Sequence, residues 1–133
     1  MAASTRGLIA FVILFHAAAF ALEALLWMQP GVYENALPRI NAQTALALHD
    51  QAVVLRALFI NQGAYNLMLA VAGCVGFYLL RSGETAAGKA LLRYMCLTAV
   101  GAGLVLACTT RAYVGAALQA VPAALAIARE LGR

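Results

Sequence analysis

The sequence predicts an all-α polytopic membrane protein, four transmembrane helices in an antiparallel bundle that form a single integral-membrane domain over residues 1–133. Two observations predict it. Hydrophobic residues make up 65% of the chain and charged residues 11%, against roughly half and about a quarter in a soluble domain. The apolar residues also gather into long runs, and a span needs about 20 of them, so the chain has length for about four spans with their loops. No soluble domain fits beside them.

The first predicted span, residues 7–29, contains "GLIAFVILFHAAAFALEALLWM" and is stopped by Pro30-Gly31. Its start is like a secretory leader, with Arg6 ahead of an apolar core and Ala19 and Ala21 suited to cleavage; the expectation is that it is retained as a span. Residues 30–50 carry the breakers Pro30, Gly31, Asn35, Pro38 and Asn41. They predict a loop with a short interfacial helical turn, and a helix restart near Asn41 to Thr44.

The second span is expected over residues 52–80, closing at Arg81-Ser82-Gly83, where Gly83 can take the left-handed conformation that ends a helix. The third covers 86–108 and the fourth 112–129, joined at "CTTRAY". Alanines at 112, 116, 120, 124 and 128 form a four-residue ridge along the fourth span, and Gly101 with Gly103 suggests a small face on the third. Small residues let helices approach closely in lipid.

The net charge of +4 does not indicate nucleic acid, because the nine Lys and Arg residues stand at helix ends rather than on one basic face. They read as topology signals. Arg6, Arg81, Lys89, Arg93, Arg129 and Arg133 fall on one side, against Arg39, Arg56 and Arg111 on the other, which predicts a multi-pass protein of the inner (plasma) membrane with both termini cytoplasmic. Cys74, Cys96 and Cys108 lie in apolar segments with no CxxC pair and no adjacent histidine, so they read as buried small apolar residues.

An ionisable side chain at the middle of a span costs at least roughly 2.5 to 3.5 kcal/mol, so each one needs a partner, a cavity or a function. His16 and Glu23 are such groups. They are seven residues apart, which at about 100° per residue returns to within about 20° of the same direction, so both are expected on one face of the first span, with Trp27, one turn later, on that face too. On the second span Asn61 and Tyr65 share a face, as do Gln62 and Asn66, in a polar stripe about 140° wide. Counting about 1.5 Å per residue from the outer helix ends brings the stripe close to the depth of His16, with Glu23 one or two turns nearer the outside.

The expectation is therefore that Asn61, Gln62, Tyr65 and Asn66 face the interior and meet His16 and Glu23. Gln119 can join from the fourth span, where Pro122 frees the carbonyl of Leu118. Arg56 has the depth to pair with Glu23 but points away from the stripe. The simpler reading makes all these groups interhelical hydrogen bonds that set register, yet packing needs far fewer polar residues than this set. The candidate ligand-binding or proton-handling residues are thus His16, Glu23, Trp27, Asn61, Gln62, Tyr65, Asn66 and Gln119.

Three separated motifs carry a family resemblance: His16-x6-Glu23-x3-Trp27 in the first span, "NQGAYN" in the second and "LQAVPAALA" in the fourth. Together they resemble the small bacterial integral-membrane family known as domain of unknown function 1304. The likeness covers nearly the whole chain and implies a four-helix membrane protein, but it brings no established activity. Members commonly have "NQGLYN", so Ala64 is a minor departure.

Binding or proton-coupled transport of a small solute is the leading functional expectation, with Glu23 changing charge, His16 as its proton partner and the amides as ligands. An intramembrane acid/base enzyme acting on a lipophilic substrate, with Tyr65 or Asn61 steadying an oxyanion, is the alternative. An accessory membrane subunit is a third. The expected partners are the lipid bilayer, a small-molecule ligand and a second copy in a homo-oligomer, with no nucleic acid, no metal and no cofactor. Haem is set aside because His16 is the one interior histidine and His49 lies near the outer surface.

Overall fold

The computed structural model describes residues 1–40 and 44–131. They form five α-helices: α1 (Ala3–Phe20), α2 (Pro30–Ile40), α3 (Leu48–Arg81), α4 (Thr85–Thr109) and α5 (Tyr113–Leu131), with one π-helical turn, Ala21–Leu25, extending α1. Three helical stretches are long and apolar enough to cross a membrane, Ala3–Leu25, Leu48–Arg81 and Thr85–Thr109. The chain is read accordingly as a membrane protein. α5 carries Gln119, Pro122, Arg129 and Glu130 and is not among the three.

The four long helices close a ring in which α1 packs on α3, α3 on α4, α4 on α5 and α5 on α1. Glycines set the spacing between them. Gly63 lies against Ala24, Gly73 against Ile13, Gly76 against Leu92 and Gly103 against Ala116 and Ala120; the first two contacts run in opposite chain order, so α3 returns alongside α1. Ile9, Val12, Ile13, Ala70, Leu92, Met95, Cys96, Ala99, Ala123 and Ala126 make the core.

Between α1 and α3 the short helical turn expected within the loop is instead the 11-residue helix α2. Pro30 opens α2 and does not stop the first helix, which has already ended by Leu26; a proline lacks an N–H that a first helical turn would leave unbonded anyway. Inside α2 the Asn35 amide donates to the Gly31 carbonyl at 2.8 Å, and the Arg39 guanidinium donates to the Asn35 carbonyl. Pro38 is tolerated near the helix end. The helix restart expected near Asn41 to Thr44 falls on residues of which 41–43 lie outside the described ones.

Trp27, Tyr33, Leu37 and Ala52 form a second small core under α2. The Arg111 N–H donates to the Arg39 carbonyl at 2.8 Å, tying the end of α2 to the corner between α4 and α5. α2 therefore lies across one end of the ring. At the other end Gly83, with φ of 94°, turns the chain from α3 into α4, as the sequence predicts.

Two packing expectations change. Of the alanine ridge on α5, Ala116 is buried but Ala124 and Ala128 are exposed, and Ala123 and Ala126 are buried instead. A four-residue step overshoots a full turn by about 40°, so such a ridge winds off the contact face within three steps. Gly103 is buried and Gly101 is exposed, because residues two apart on a helix point to nearly opposite sides. Cys96 alone of the three cysteines is buried; Cys74 and Cys108 are exposed.

Candidate functional site

The contact between α1 and α3 starts from a missing side chain. A Cβ on Gly63 would stand 2.9 Å from the Ala24 Cβ and 3.0 Å from its backbone nitrogen, so only glycine lets the π-helical turn sit this close to α3. In that turn the Leu26 N–H donates to the Ala21 carbonyl at 2.9 Å, five residues back. Single π-helical turns are rare and frequently occur at functional sites. The turn carries Glu23.

One turn along α3 from Gly63, and on the same side, the Asn66 amide donates to Glu23 Oε2 at 2.7 Å. Asn66 is buried and Glu23 half-buried. This is a charge-assisted or neutral hydrogen bond according to the proton on Glu23, and it leaves the second carboxyl oxygen free to meet another donor. Among the described residues no ion pair reaches Glu23; Arg56 is exposed, and the one ion pair joins His49 to Asp50 at 3.7 Å.

His16 is fully buried on the inward side of α1, continuing the line of Thr5, Ile9, Val12 and Ile13. Its Nδ1 lies 2.8 Å from the Val12 carbonyl, an acceptor, so Nδ1 carries a proton, and in the neutral ring Nε2 presents a lone pair. Nε2 is buried and has no hydrogen-bond partner among the described residues. The Ile13–Gly73 and Ala24–Gly63 approaches bracket His16 and set it about level with Ala70. Seven residues separate it from Glu23, roughly 10 Å along the axis, so the two groups can exchange a proton only through something bridging them.

Trp27 stands apart from this pair. α1 has ended by Leu26, and the Trp27 indole donates to the Ala52 carbonyl at 2.9 Å while its ring stacks on Phe59 at 3.6 Å and 10°. It pins the turn to the N-terminal part of α3 rather than bonding to Glu23.

Asn61, Gln62 and Tyr65 do not come to the interior. All three are exposed, Tyr65 at 60%. The expected stripe loses to packing: Gly63, Asn66, Ala70, Gly73 and Gly76 occupy the inward side of α3, and residues 61 and 65, each two positions from Gly63, point about 200° away from it. Gln119 is half-buried on α5, next to the Ala120 that touches Gly103, and makes no hydrogen bond to Glu23 or His16.

The structure thus brings together Glu23 and Asn66, with His16 deeper in the same bundle. What the sequence did not disclose is Gly63 and the π-helical turn; the glycine inside "NQGAYN" was the available signal. A small cleft lies at the far end of the ring, lined by residues including Ile9, Lys89, Arg93, Cys96 and Glu130, away from Glu23. Among the described residues no group of three His, Cys, Asp or Glu side chains gathers to hold a metal.

A family model described as "Protein of unknown function (DUF1304)" matches residues 10–130. The chain belongs to that family. No curated protein and no solved structure matches it.

Proposed function

We propose that the protein is a four-span bundle of the inner (plasma) membrane with cytoplasmic termini, and that Glu23 is the charge-changing group of a site that binds a small solute and couples it to a proton. The hydrogen bond from Asn66 to Glu23 carries this reading. It anchors an ionisable group across two helices, in a backbone irregularity, where a structural contact needs neither the charge nor the π-helical turn. The unpartnered His16 Nε2 supports it as a deeper proton acceptor.

The 19 residues of α5 extend about 28 Å, close to the roughly 30 Å of a hydrocarbon core, and α5 closes the ring with α1 and α4; both features favour a fourth crossing. The excess of Lys and Arg at the end bearing both termini supports the orientation. The enzyme reading is weaker because Tyr65 and Asn61, its oxyanion donors, lie on the outward side of α3.

The test uses purified protein in liposomes with an internal pH dye, driving protons with an imposed potential in the presence and absence of small solutes. Glu23→Gln keeps an acceptor for Asn66 and removes the proton site. The variant should stay folded and lose the protein-dependent proton movement. Undiminished movement in folded Glu23→Gln, or none in the unaltered protein with any solute tried, would overturn the proposal.

A further inference from the structure

Asn61, Gln62 and Tyr65 are exposed near the middle of a helix long and apolar enough to cross a membrane. No hydrogen bond joins their side chains to any other described residue. Lipid offers them none either, so their partners must come from another polypeptide.

The surrounding residues indicate which. Val54, Leu58, Asn61, Tyr65, Met68, Ala72 and Val75 follow one another at alternating steps of four and three, the 3.5-residue period that keeps one strip in register between two helices wound together. Val54, Leu58, Tyr65 and Met68 are 71%, 60%, 60% and 57% exposed, so the strip points away from the ring. It contains no charged residue. Arg56, two positions from both Val54 and Leu58, stands on the other side of the helix, and two copies meeting along the strip oppose no like charges.

Asn61 is the one amide on the strip, and an amide is complementary to itself. Its N–H and carbonyl carry opposite partial charges, and a two-fold axis places the donor of each copy against the acceptor of the other. A single asparagine in an apolar seam of this period fixes register and the number of strands. A different partner would have to supply that matching pattern by coincidence; a second copy supplies it by symmetry.

We propose that the outward strip of α3 is the interface of a parallel homodimer in the membrane, held in register by a hydrogen-bonded pair of Asn61 amides at its centre. This does not rest on the role assigned to Glu23.

Two measurements on the full chain test it. With Cys74→Ser and Cys108→Ser in the background, single substitutions Asn61→Cys and Met68→Cys on the strip and Ala64→Cys beside it are oxidised mildly in lipid vesicles. The first two should give disulfide-linked dimers and Ala64→Cys should not; all three positions are exposed, so none disturbs the core. In parallel, dilution in bilayers followed by single-molecule counting should show the unaltered chain as a dimer, with Asn61→Leu raising the dissociation constant about 3- to 20-fold, the range of single hydrogen bonds between membrane helices. A monomer at every dilution, cross-linking at Ala64→Cys as strong as at Asn61→Cys, or an Asn61→Leu dimer of unchanged affinity would each overturn the proposal.

Discussion

The two sides of α3 differ in size more than in polarity. Toward the ring it presents Gly63, Asn66, Ala70, Gly73 and Gly76, all buried; away from it stand Val54, Leu58, Tyr65 and Met68, all exposed. In water the larger apolar side would turn inward. In lipid, burying apolar surface against another helix gains nothing over leaving it in hydrocarbon, so the helices choose the sides that allow closest approach. A Cβ on Gly73 would be 2.4 Å from Ile13 Cγ1, and one on Gly76 2.7 Å from Leu92. Polarity does not predict the choice: Asn66 points in and Asn61, five residues away, points out.

The contrast breaks most visibly at adjacent residues. Gly63→Leu should drive the Ala24 turn off α3 and cost about 3 kcal/mol or more, the upper range for overfilling a packed site, whereas Ala64→Leu, exposed next to it, should stay within about 0.5 kcal/mol. Unfolding free energies of the two variants in bicelles check this. Equal losses would mean that the sides of α3 are not distinct.

A smaller effect separates the two asparagines. Asn66→Leu removes the donor to Glu23 Oε2 and should cost about 1 to 3 kcal/mol, as for a buried polar group left without its partner. Asn61→Leu, measured under dilute monomeric conditions, should cost no more than about 0.5 kcal/mol. If Asn61→Leu destabilises the monomer as much as Asn66→Leu, Asn61 has an intramolecular partner and the outward assignment fails.

The smallest expected change tests the N-terminal part of α3. Trp27→Phe keeps an aromatic ring over Phe59 and deletes the hydrogen bond to the Ala52 carbonyl, for a loss of about 1 kcal/mol. Proton movement in vesicles should be unaltered by it. A loss of that movement comparable to Glu23→Gln would return Trp27 to the site from which the geometry separates it.

Helix ends and membrane character were legible in the residues because they depend on local chemistry: the length of an apolar run, a glycine at 83, the polar "CTTRAY" corner. Among the candidate residues, His16 and Asn66 are buried and Glu23 is half-buried. Helix α2 was read as a loop with one short helical turn, too little helix, because a proline at a first turn and a proline that breaks a helix look the same until the neighbours are known. Local sequence carries no record of the difference.

Composition and run length alone determined that this chain is helical and suited to a membrane, since desolvating an unbonded backbone leaves helices as the economical answer for such a sequence. Only the tertiary structure decided which side of each helix faces its neighbours, and with it that Asn66 meets Glu23 while Asn61, Gln62 and Tyr65 do not. That choice depends on how closely Ala24 and Ile13 can approach Gly63 and Gly73. The same approach seats the one-residue slip in the backbone hydrogen bonding after Phe20, which no periodicity in the side chains announces, because the residues on both sides of it are apolar and satisfy either winding.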